Sequence, residues 1–332
     1  MKIAIVLLNW NGKNLLEKFL PKVIEYSQIP NAEIVLADNA STDDSIDFVL
    51  QNFPSVKIIK NKNNEGFAKG YNLALKQVKA DIYCLLNTDV EVTNNWLQPI
   101  LEIFKNEVNT AAVQPKILDY KNKSYFEYAG AAGGFIDQFG FPFCRGRIFN
   151  EIEQDIGQYN NNDEIFWASG ACLFIRAKVF KEANGFDEDF FAHQEEIDLC
   201  WRINNLGYGI KFCSQSTVYH VGGATLAPQN PKKTYLNFRN NLAMMVKNLP
   251  AKTAFFVLFF RLFLDGVASA KFLFSGKPKH AFAILKSHVS FYRDLFKNIN
   301  KRTKNTKITN YYKVRNIVWK HFVKGVNKFS EL

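Results

Sequence analysis

Residues 81–91, DIYCLLNTDVE, decide the fold class of this chain. Residues 82–86 are apolar throughout, as in a strand buried on both faces of a sheet, and polar Asn87, Thr88 and Asp89 follow at once. Similar runs alternate with helical patterns before it: strands at residues 3–8, 33–37 and 56–60, and helices at 15–24, 45–50 and 67–78. This alternation predicts an α/β fold with a mostly parallel sheet and helices on both faces.

The pattern changes after about residue 110. Short β segments are predicted at 111–118, 126–135 and 165–175, strands at 209–213 and 217–221, and helices at 194–205 and 235–247. Pro21 lies inside the first helical pattern, and we expect it to bend or end that helix because it lacks an N–H group.

The net charge of +11 at pH 7 is concentrated near the C-terminus. Residues 251–332 contain 17 Lys and Arg against 3 Asp and Glu, whereas residues 1–250 contain 25 against 28. The 47% hydrophobic and 22% charged content is that of a globular protein and excludes a disordered chain. The five cysteines form no Cys-x-x-Cys pair, which predicts buried, reduced thiols. The first strand, at residues 3–8, is unlike a signal peptide, so we expect the chain to stay in the cytosol.

Polar segments follow two of the predicted strands at the edge where parallel sheets bind ligands. Asp38 ends an apolar strand, and a carboxylate there needs a donor such as a nucleotide base or ribose; turns and helix capping are the alternative for residues 39–43. Asn64 and Gly66 precede a helix whose free N–H groups suit phosphate or ribose oxygens, although the same residues also make an ordinary helix start.

Asp89 follows the fourth strand and is a candidate ligand for a metal ion. A hard divalent cation prefers oxygen ligands and usually keeps water and substrate phosphate in its shell, so Asp89 can bind the ion beside a diphosphate. A solvated turn is the alternative. A single histidine after a strand, such as His220, is more often structural, but its neutral imidazole can complete the shell of such an ion.

Three carboxylates, Glu195, Glu196 and Asp198, lie within one turn at the start of a predicted helix. Acidic residues there complement the helix dipole, which is the structural explanation. Close like charges also raise one another's pKa, which suits a base that takes a proton from a hydroxyl group. Arg202 follows Asp198 by four residues and is expected to pair with it.

Together these segments resemble the inverting glycosyltransferases of family 2, in particular the bacterial rhamnosyltransferase-like branch with the GT-A fold. The resemblance covers roughly residues 1–245. Its carriers, in order, are residues 6–12 (VLLNWNG), 38–43 (DNASTD), 64–68 (NEGFA), 86–89 (LNTD), 167–171 (WASGA), 195–199 (EEIDL) and His220. Two positions depart from the family pattern: Asn87 replaces the first Asp of Asp-x-Asp, and Glu196 replaces the second acid, usually Asp, of a Glu-Asp pair.

The resemblance implies a role for each matching residue. The residues that bind the nucleotide-sugar would be Asn9, Asp38, Asn64, Gly66, Asn87 and Asp89. Those at the acceptor site would be Trp167, Ser169 and Gly170. Asp89 and His220 would hold Mg²⁺ or Mn²⁺, and Glu196, or else its neighbour Glu195, would be the catalytic base.

The implied activity is transfer of a sugar from a UDP- or dTDP-sugar to a hydroxyl of a glycan or lipid-linked acceptor, with inversion, in cell-surface polysaccharide synthesis. The implied catalytic domain spans residues 1–245, with a nucleotide-sugar half (1–110) and an acceptor half (111–245). A sugar nucleotidyltransferase is the alternative enzyme, but it normally carries a Gly-rich basic loop after the first strand, where residues 9–13 have one Gly and one Lys. A non-catalytic sugar-binding or scaffold protein is the other alternative.

The remaining residues, 246–332, form a basic, Phe-rich helical region. Residues 254–274 approach the length of a membrane span, but Arg261 and Asp265 interrupt the apolar run and can pair with each other. Apolar residues recurring at 282–299 with lysines on other faces are typical of a helix on anionic lipid. We therefore expect 251–332 to contact the inner face of the cytoplasmic membrane; packing on the catalytic domain or a homodimer contact is the alternative, and nucleic acid is disfavoured.

Overall fold

The computed structural model describes residues 1–222, 230–302 and 308–332. Its strands are β1 (Ile3–Asn9), β2 (Ala32–Asp38), β3 (Lys57–Lys60), β4 (Ile82–Asn87), β5 (Val90–Val92), β6 (Thr110–Asp119), β7 (Gly134–Ile136), β8 (Pro142–Cys144), β9 (Arg147–Ile148), β10 (Glu151–Ile152), β11 (Cys172–Arg176) and β12 (Gly209–His220). Its helices are α1 (Lys13–Tyr26), α2 (Ser45–Asn52), α3 (Gly66–Leu75), α4 (Gln98–Asn106), α5 (Ala177–Glu182), α6 (Glu195–Asn205), α7 (Pro231–Asn248), α8 (Ala251–Phe274), α9 (Pro278–Arg293), α10 (Leu295–Asn300) and α11 (Ile317–Phe322).

The main sheet has eight strands in the order β3-β2-β1-β4-β11-β6-β12-β5. The first four are mutually parallel, which confirms the predicted α/β fold with a mostly parallel sheet. Strand β11 runs antiparallel between β4 and β6 and joins the two halves of the chain into one sheet. The register pairs Asn9 with Asp38 and Leu8 with Asn87, so the polar ends of β1, β2 and β4 meet at one edge.

Apolar side chains cover both faces of this sheet. Along β1, Ile3, Ile5 and Leu7 enter one buried cluster, and Ala4 and Val6 enter the cluster on the opposite face. This division follows from the alternation of side chains along a strand. A strand covered on both faces has to be apolar at every position, which is the pattern that the sequence shows.

Helix α1 continues through Pro21 to Tyr26, so the proline does not end it. Both Pro21 and Glu17, whose carbonyl would have accepted the missing hydrogen bond, lie on the exposed side of the helix. Water can therefore satisfy that carbonyl group.

The middle of the chain differs most from the predicted elements. Only residues 134–135 of the segment 126–135, and residues 172–175 of the segment 165–175, lie in strands, which are β7 and β11. The intervening backbone packs closely: a Cβ atom on Gly134 would lie 2.0 Å from the Trp167 side chain. The two strands predicted between 209 and 221 are one strand, β12, with an irregular register between Cys213 and Thr217.

Helices α7 to α10 pack against one another. Helix α7 packs against α6, α8, α9 and α10, and it crosses the predicted domain boundary at residue 245 without a break. The division at that position therefore stays a prediction. All five cysteines are buried and free, as the sequence predicts.

Candidate active site

Asn9 and Asp38 lie side by side at the ends of β1 and β2, and both are buried. The Asn9 amide donates to Asp38 Oδ1 at 3.2 Å and to Ser45 Oγ at 3.0 Å, while the Ser41 backbone N–H donates to Asp38 Oδ2 at 3.0 Å. Asp38 thus has donors within the chain and does not require a ligand to satisfy it, contrary to the argument from sequence. Its role in nucleotide binding stays a prediction.

Gly66 contacts a loop that comes from far along the chain, whereas Asn64 Oδ1 accepts hydrogen bonds from the Asn39 amide and the Gly66 N–H, each at 3.0 Å. Gly66 has a φ of +73°, and a Cβ atom there would lie 2.7 Å from the carbonyl oxygen of Phe191. The N–H groups of Phe67 and Ala68, at the start of α3, donate to that same carbonyl at 2.8 and 3.4 Å. The expectation that this helix start offers free N–H groups to phosphate is therefore wrong for Phe67 and Ala68, because the Phe191 carbonyl caps them.

Asp89 and His220 meet because β12 pairs with β5, the strand that follows Asp89. Asp89 Oδ1 lies 3.1 Å from His220 Nε2, and both residues are buried. The other ring nitrogen, Nδ1, lies 3.3 Å from Oε1 of Glu127. Burial disfavours a charged ring, but the carboxylates of Glu127 and Asp89 outweigh it and raise the pKa of His220 to about 10. The sequence prediction missed Glu127, since no strand-end pattern marks it.

Asp89 and His220 form a hydrogen-bonded pair in the structure, and a divalent cation would have to take the place of the proton between them. Octahedral Mg²⁺ holds its ligands at about 2.1 Å, so neighbouring ligand atoms lie about 3 Å apart, close to the separation of Asp89 Oδ1 and His220 Nε2. Within residues 1–222, 230–302 and 308–332, no group of three or more His, Cys, Asp and Glu side chains could hold a metal ion alone. The other ligands would therefore have to come from a diphosphate and water.

The segment from Trp167 to Gly170 connects this pair to the predicted base. Trp167 donates its ring N–H to the Phe135 carbonyl, and the Ser169 backbone N–H donates to Gln114 Oε1 at 2.8 Å. Both side chains are buried, and the role of Trp167, Ser169 and Gly170 in an acceptor site stays a prediction. A Cβ atom on Gly170 would lie 3.8 Å from the Cβ of Glu196, and the next residue, Ala171, accepts the backbone N–H of Asn87.

Glu195 and Glu196 begin α6 and differ in exposure. Glu195 is buried, whereas Glu196 is partly exposed beside Gly170. Burial raises the pKa of Glu196 to about 7, and burial and the neighbouring Glu196 raise the pKa of Glu195 well above its ordinary value. Oε2 of each carboxylate is buried without a hydrogen-bond partner in the described part of the chain. Glu196 is therefore the better placed of the two to reach a substrate.

The loop before α6 has an unusual backbone that helix α7 holds in place. Phe191, His193 and Gln194 have φ values of +62°, +68° and +72°, which are unfavourable for residues with side chains. The buried amide of Asn240 donates to the carbonyl groups of Phe190, Ala192 and His193 at 3.1, 3.0 and 2.7 Å. These contacts fix the loop that leads into Glu195 and Glu196. The sequence prediction missed Asn240, which lies about 45 residues away within a helical pattern.

One turn further along α6, Asp198 is neutralised by two cations. It pairs with Arg202 at 2.9 Å, as predicted, and with Lys247 of α7 at 2.9 Å. Although Asp198 is buried, these cations hold its pKa below the ordinary value. Asp198 therefore anchors the helix and does not take part in proton transfer.

The chain matches known glycosyltransferases in sequence. The family model described as Glycosyl transferase family 2 matches residues 4–183, more than half of the chain. The N-acetylglucosaminyl-diphospho-decaprenol L-rhamnosyltransferase of Mycobacterium tuberculosis is 23% identical over 233 residues, which cover 66% of this chain and 75% of that protein. The low-salt glycan biosynthesis hexosyltransferase Agl10 of Haloferax volcanii is 22% identical over 247 residues, 72% of this chain and 73% of that protein.

Solved structures of other glycosyltransferases share the fold. GalNAc-T7 with UDP, GalNAc and Mn²⁺ has a TM-score of 0.59 at 17% identity, over 74% of this chain but only 47% of that one. The mannosyltransferase PcManGT of Pyrobaculum calidifontis, in complex with GDP-Man and Mn²⁺, has a TM-score of 0.54 at 12% identity, over 88% of this chain and 87% of that one. Both the family match and the fold agree with the predicted resemblance, and the chain belongs to glycosyl transferase family 2, with the GT-A fold.

Proposed function

We propose that this protein transfers a hexosyl group from a UDP- or dTDP-sugar to a hydroxyl group of a glycan or lipid-linked acceptor, with inversion at the anomeric carbon. One observation carries the proposal: Glu196 has a pKa raised to about 7 and lies beside Gly170. The next residue, Ala171, accepts a hydrogen bond from the backbone of Asn87 at the end of β4. A base of this kind at the ligand edge of the sheet suits removal of a proton from a hydroxyl group near neutral pH.

In the proposed reaction, Glu196 takes the proton of the acceptor hydroxyl as its oxygen attacks the anomeric carbon. The bond from that carbon to the diphosphate oxygen breaks, and the nucleoside diphosphate leaves with the bonding electrons. A single displacement from the opposite face inverts the configuration. The Trp167–Gly170 segment would orient the acceptor beside Glu196.

The donor would lie at the ends of β1, β2 and β4. The residues proposed to line it are those of the sequence prediction: Asn9, Asp38, Asn64, Gly66, Asn87 and Asp89. Asp89 and His220 would hold Mg²⁺ or Mn²⁺, which when bound supplies positive charge to the leaving diphosphate. Glu127, on the far side of the His220 ring, would keep Nε2 directed toward the cation.

The acceptor and the location form part of the same proposal. A relative whose name specifies N-acetylglucosaminyl-diphospho-decaprenol supports a lipid-linked saccharide as acceptor, in cell-surface polysaccharide synthesis. We place the enzyme on the inner face of the cytoplasmic membrane, peripherally bound through residues 251–332. Within the described residues, α8 is the one helix long and apolar enough to cross a membrane.

A panel of sugar nucleotides tests the chemistry. The full chain is incubated with each UDP- and dTDP-sugar and Mn²⁺, and release of nucleoside diphosphate is measured with and without a chelator. We expect release from at least one donor, lost with the chelator and in Asp89→Ala, and NMR of the transferred sugar should show inversion. Release of pyrophosphate would instead indicate a nucleotidyltransferase, and sugar-nucleotide binding without turnover would indicate a non-catalytic binding protein.

A further inference from the structure

Helices α8 and α9 present apolar side chains that the described residues, 1–222, 230–302 and 308–332, leave uncovered. Exposed phenylalanines line α8, and apolar side chains of α9 extend the surface; they are Phe255, Phe256, Phe259, Phe260, Phe263, Phe274, Phe282, Leu285 and Val289. Only 22% of the most apolar 18 residues of α8 are buried. Water-soluble proteins rarely expose so large an apolar patch without a partner, so this face, which we call the docking face, needs an occupant.

The middle of α8 is tied to the rest of the protein by buried polar contacts. Arg261 pairs with Asp265 at 3.0 Å, and Asp265 also contacts Nε2 of His288 in α9 at 3.0 Å. Arg261 donates to the carbonyl of Phe139 at 2.8 Å and contacts Asn241 of α7. Arg261 and Asp265 are almost wholly buried, so these contacts turn one side of α8 toward the catalytic part of the chain.

This anchorage decides how α8 can meet a membrane. A helix of 24 residues is about 36 Å long, enough to cross a bilayer, but Arg261 and Asp265 would then lie near the bilayer centre, and α9 and Phe139 would have to enter with them. Lying in the plane of the interface keeps these contacts intact and lets the phenylalanines enter the acyl region. The fold therefore favours an in-plane helix over a spanning one.

The charges on the elements of the docking face indicate the kind of partner. Five exposed lysines lie on α8, on α9 and on the connection between them: Lys252, Lys271, Lys277, Lys279 and Lys286. Two copies of so basic a face would repel each other, whereas a negatively charged bilayer attracts it and accepts the phenylalanines. The apolar centre also lacks the polar groove of a nucleic-acid site.

We propose that α8 and α9 dock in the plane of an anionic lipid bilayer, with the phenylalanines of α8 inserted and the lysines at the headgroups. The inference rests on the proposed peripheral location and is independent of the chemistry at Glu196. It replaces a general affinity of residues 251–332 for membranes with a defined face and a defined orientation.

Vesicle sedimentation of the full chain tests the docking face. Vesicles are made of phosphatidylcholine alone or of equal parts of phosphatidylcholine and phosphatidylglycerol. The double variant Phe259→Ser/Phe263→Ser removes two side chains that are 66% and 71% exposed. The matched control, Val108→Ser/Ile156→Ser, removes two that are 83% and 78% exposed outside the docking face. Thermal unfolding checks that each variant folds.

We expect the wild-type chain and the control to bind the anionic vesicles, less strongly at high salt, and the phenylalanine variant to bind at least about tenfold more weakly. Alkaline carbonate should release the bound chain. Retention after carbonate would establish a spanning helix, and failure to bind anionic vesicles would overturn the proposal. A dimer in analytical ultracentrifugation that only the phenylalanine variant dissociates would make a second copy the occupant.

One further variant tests the docking proposal separately from the catalytic proposal. Glu196→Gln should bind vesicles as the wild-type chain does, even though it is expected to lose transfer. If the wild-type chain binds vesicles but transfers no sugar, the docking proposal holds and the catalytic proposal is wrong. If it transfers sugar to a soluble acceptor but does not bind vesicles, the catalytic proposal holds and the docking proposal is wrong.

Discussion

The two sides of the site differ in how their buried polar groups are satisfied. On the β1–β2 side, Asn9 donates to three side chains and both oxygens of Asp38 accept from the chain. At the start of α6, one oxygen each of Glu195 and Glu196 is buried without a partner in the described residues. Buried polar groups normally find partners within the fold. Among the side-chain oxygens of Asn9 and Asp38, only Asn9 Oδ1 is buried without a partner in the described residues, so the first side is the more completely hydrogen-bonded of the two. We expect the second side, where each of two carboxylates keeps an open oxygen, to be the one that contacts a substrate.

Burial therefore has different consequences on the two sides: it contributes to stability at the β1–β2 edge and shifts a pKa at the start of α6. Hydrogen bonds from the chain stabilise the β1–β2 edge, and changes there should appear mainly in stability. Burial of Glu196 is only partly offset by backbone hydrogen bonds and raises its pKa to about 7, so changes there should appear mainly in rate. The following predictions run from the largest expected effect to the smallest.

Glu196→Gln should lower kcat by about 10²–10⁴-fold, because the amide cannot accept the proton of the hydroxyl group. Steady-state transfer kinetics measure this, and unfolding in urea should show little change in stability. Glu195→Gln is the matched control. Since burial favours the protonated form of Glu195, its amide variant should retain far more activity; a larger loss in Glu195→Gln would transfer the role of base to that residue.

The rate should rise with pH through about 7. Below that value Glu196 is protonated and cannot act as a base, so kcat/KM at two pH units below should be about 100-fold under the plateau. A pH profile of transfer measures the change. The residual activity of Glu196→Gln should lack this rise, and a rise that persists in the variant would assign the titration to another group.

Glu127→Ala should weaken Mn²⁺ binding by about 10–100-fold, because the ring of His220 loses the carboxylate that orients it. Titration calorimetry with Mn²⁺ and donor measures the affinity without requiring turnover. Glu127→Gln keeps an acceptor oxygen and should recover most of the affinity. Equal affinity in all three proteins would remove Glu127 from the proposed cation site.

Asn9→Ala should destabilise the fold by about 1–3 kcal/mol, because Asp38, Ser41 and Ser45 lose a shared donor. The midpoint of urea unfolding measures this cost. Val108→Ala, a change at an exposed position, provides the reference. An unchanged midpoint would show that the hydrogen bonds of Asn9 do not stabilise the β1–β2 edge.

The sequence predicts the parts of this molecule that depend on neighbouring residues. Strands β1, β2 and β4 are recognisable because a strand covered on both faces is apolar throughout, and their polar ends identify the ligand edge. The pairing of Asp198 with Arg202 follows from helical spacing in the same way. The family match then supports the implied activity at the level of a glycosyltransferase.

Features that depend on contacts between residues far apart in the sequence cannot be predicted from such local patterns. The cap on α3 comes from Phe191, more than 120 residues away, so the start of α3 looks free in the sequence. Glu127 reaches His220 from an irregular segment that the pattern reads as a strand, and Asn240 reaches the base loop from an otherwise ordinary helix. No local spacing encodes these contacts, which arise only when the sheet has formed.

The carbonyl of Phe191 has a further consequence for how the two proposed substrates would affect each other. It joins the start of α3, next to the proposed donor residue Gly66, to the loop that leads into Glu196. A nucleotide that shifts α3 on binding would also shift that loop, so donor and acceptor affinities would depend on each other by the same factor in both directions. Under that linkage, departure of the nucleoside diphosphate would also change the affinity for the glycosylated product.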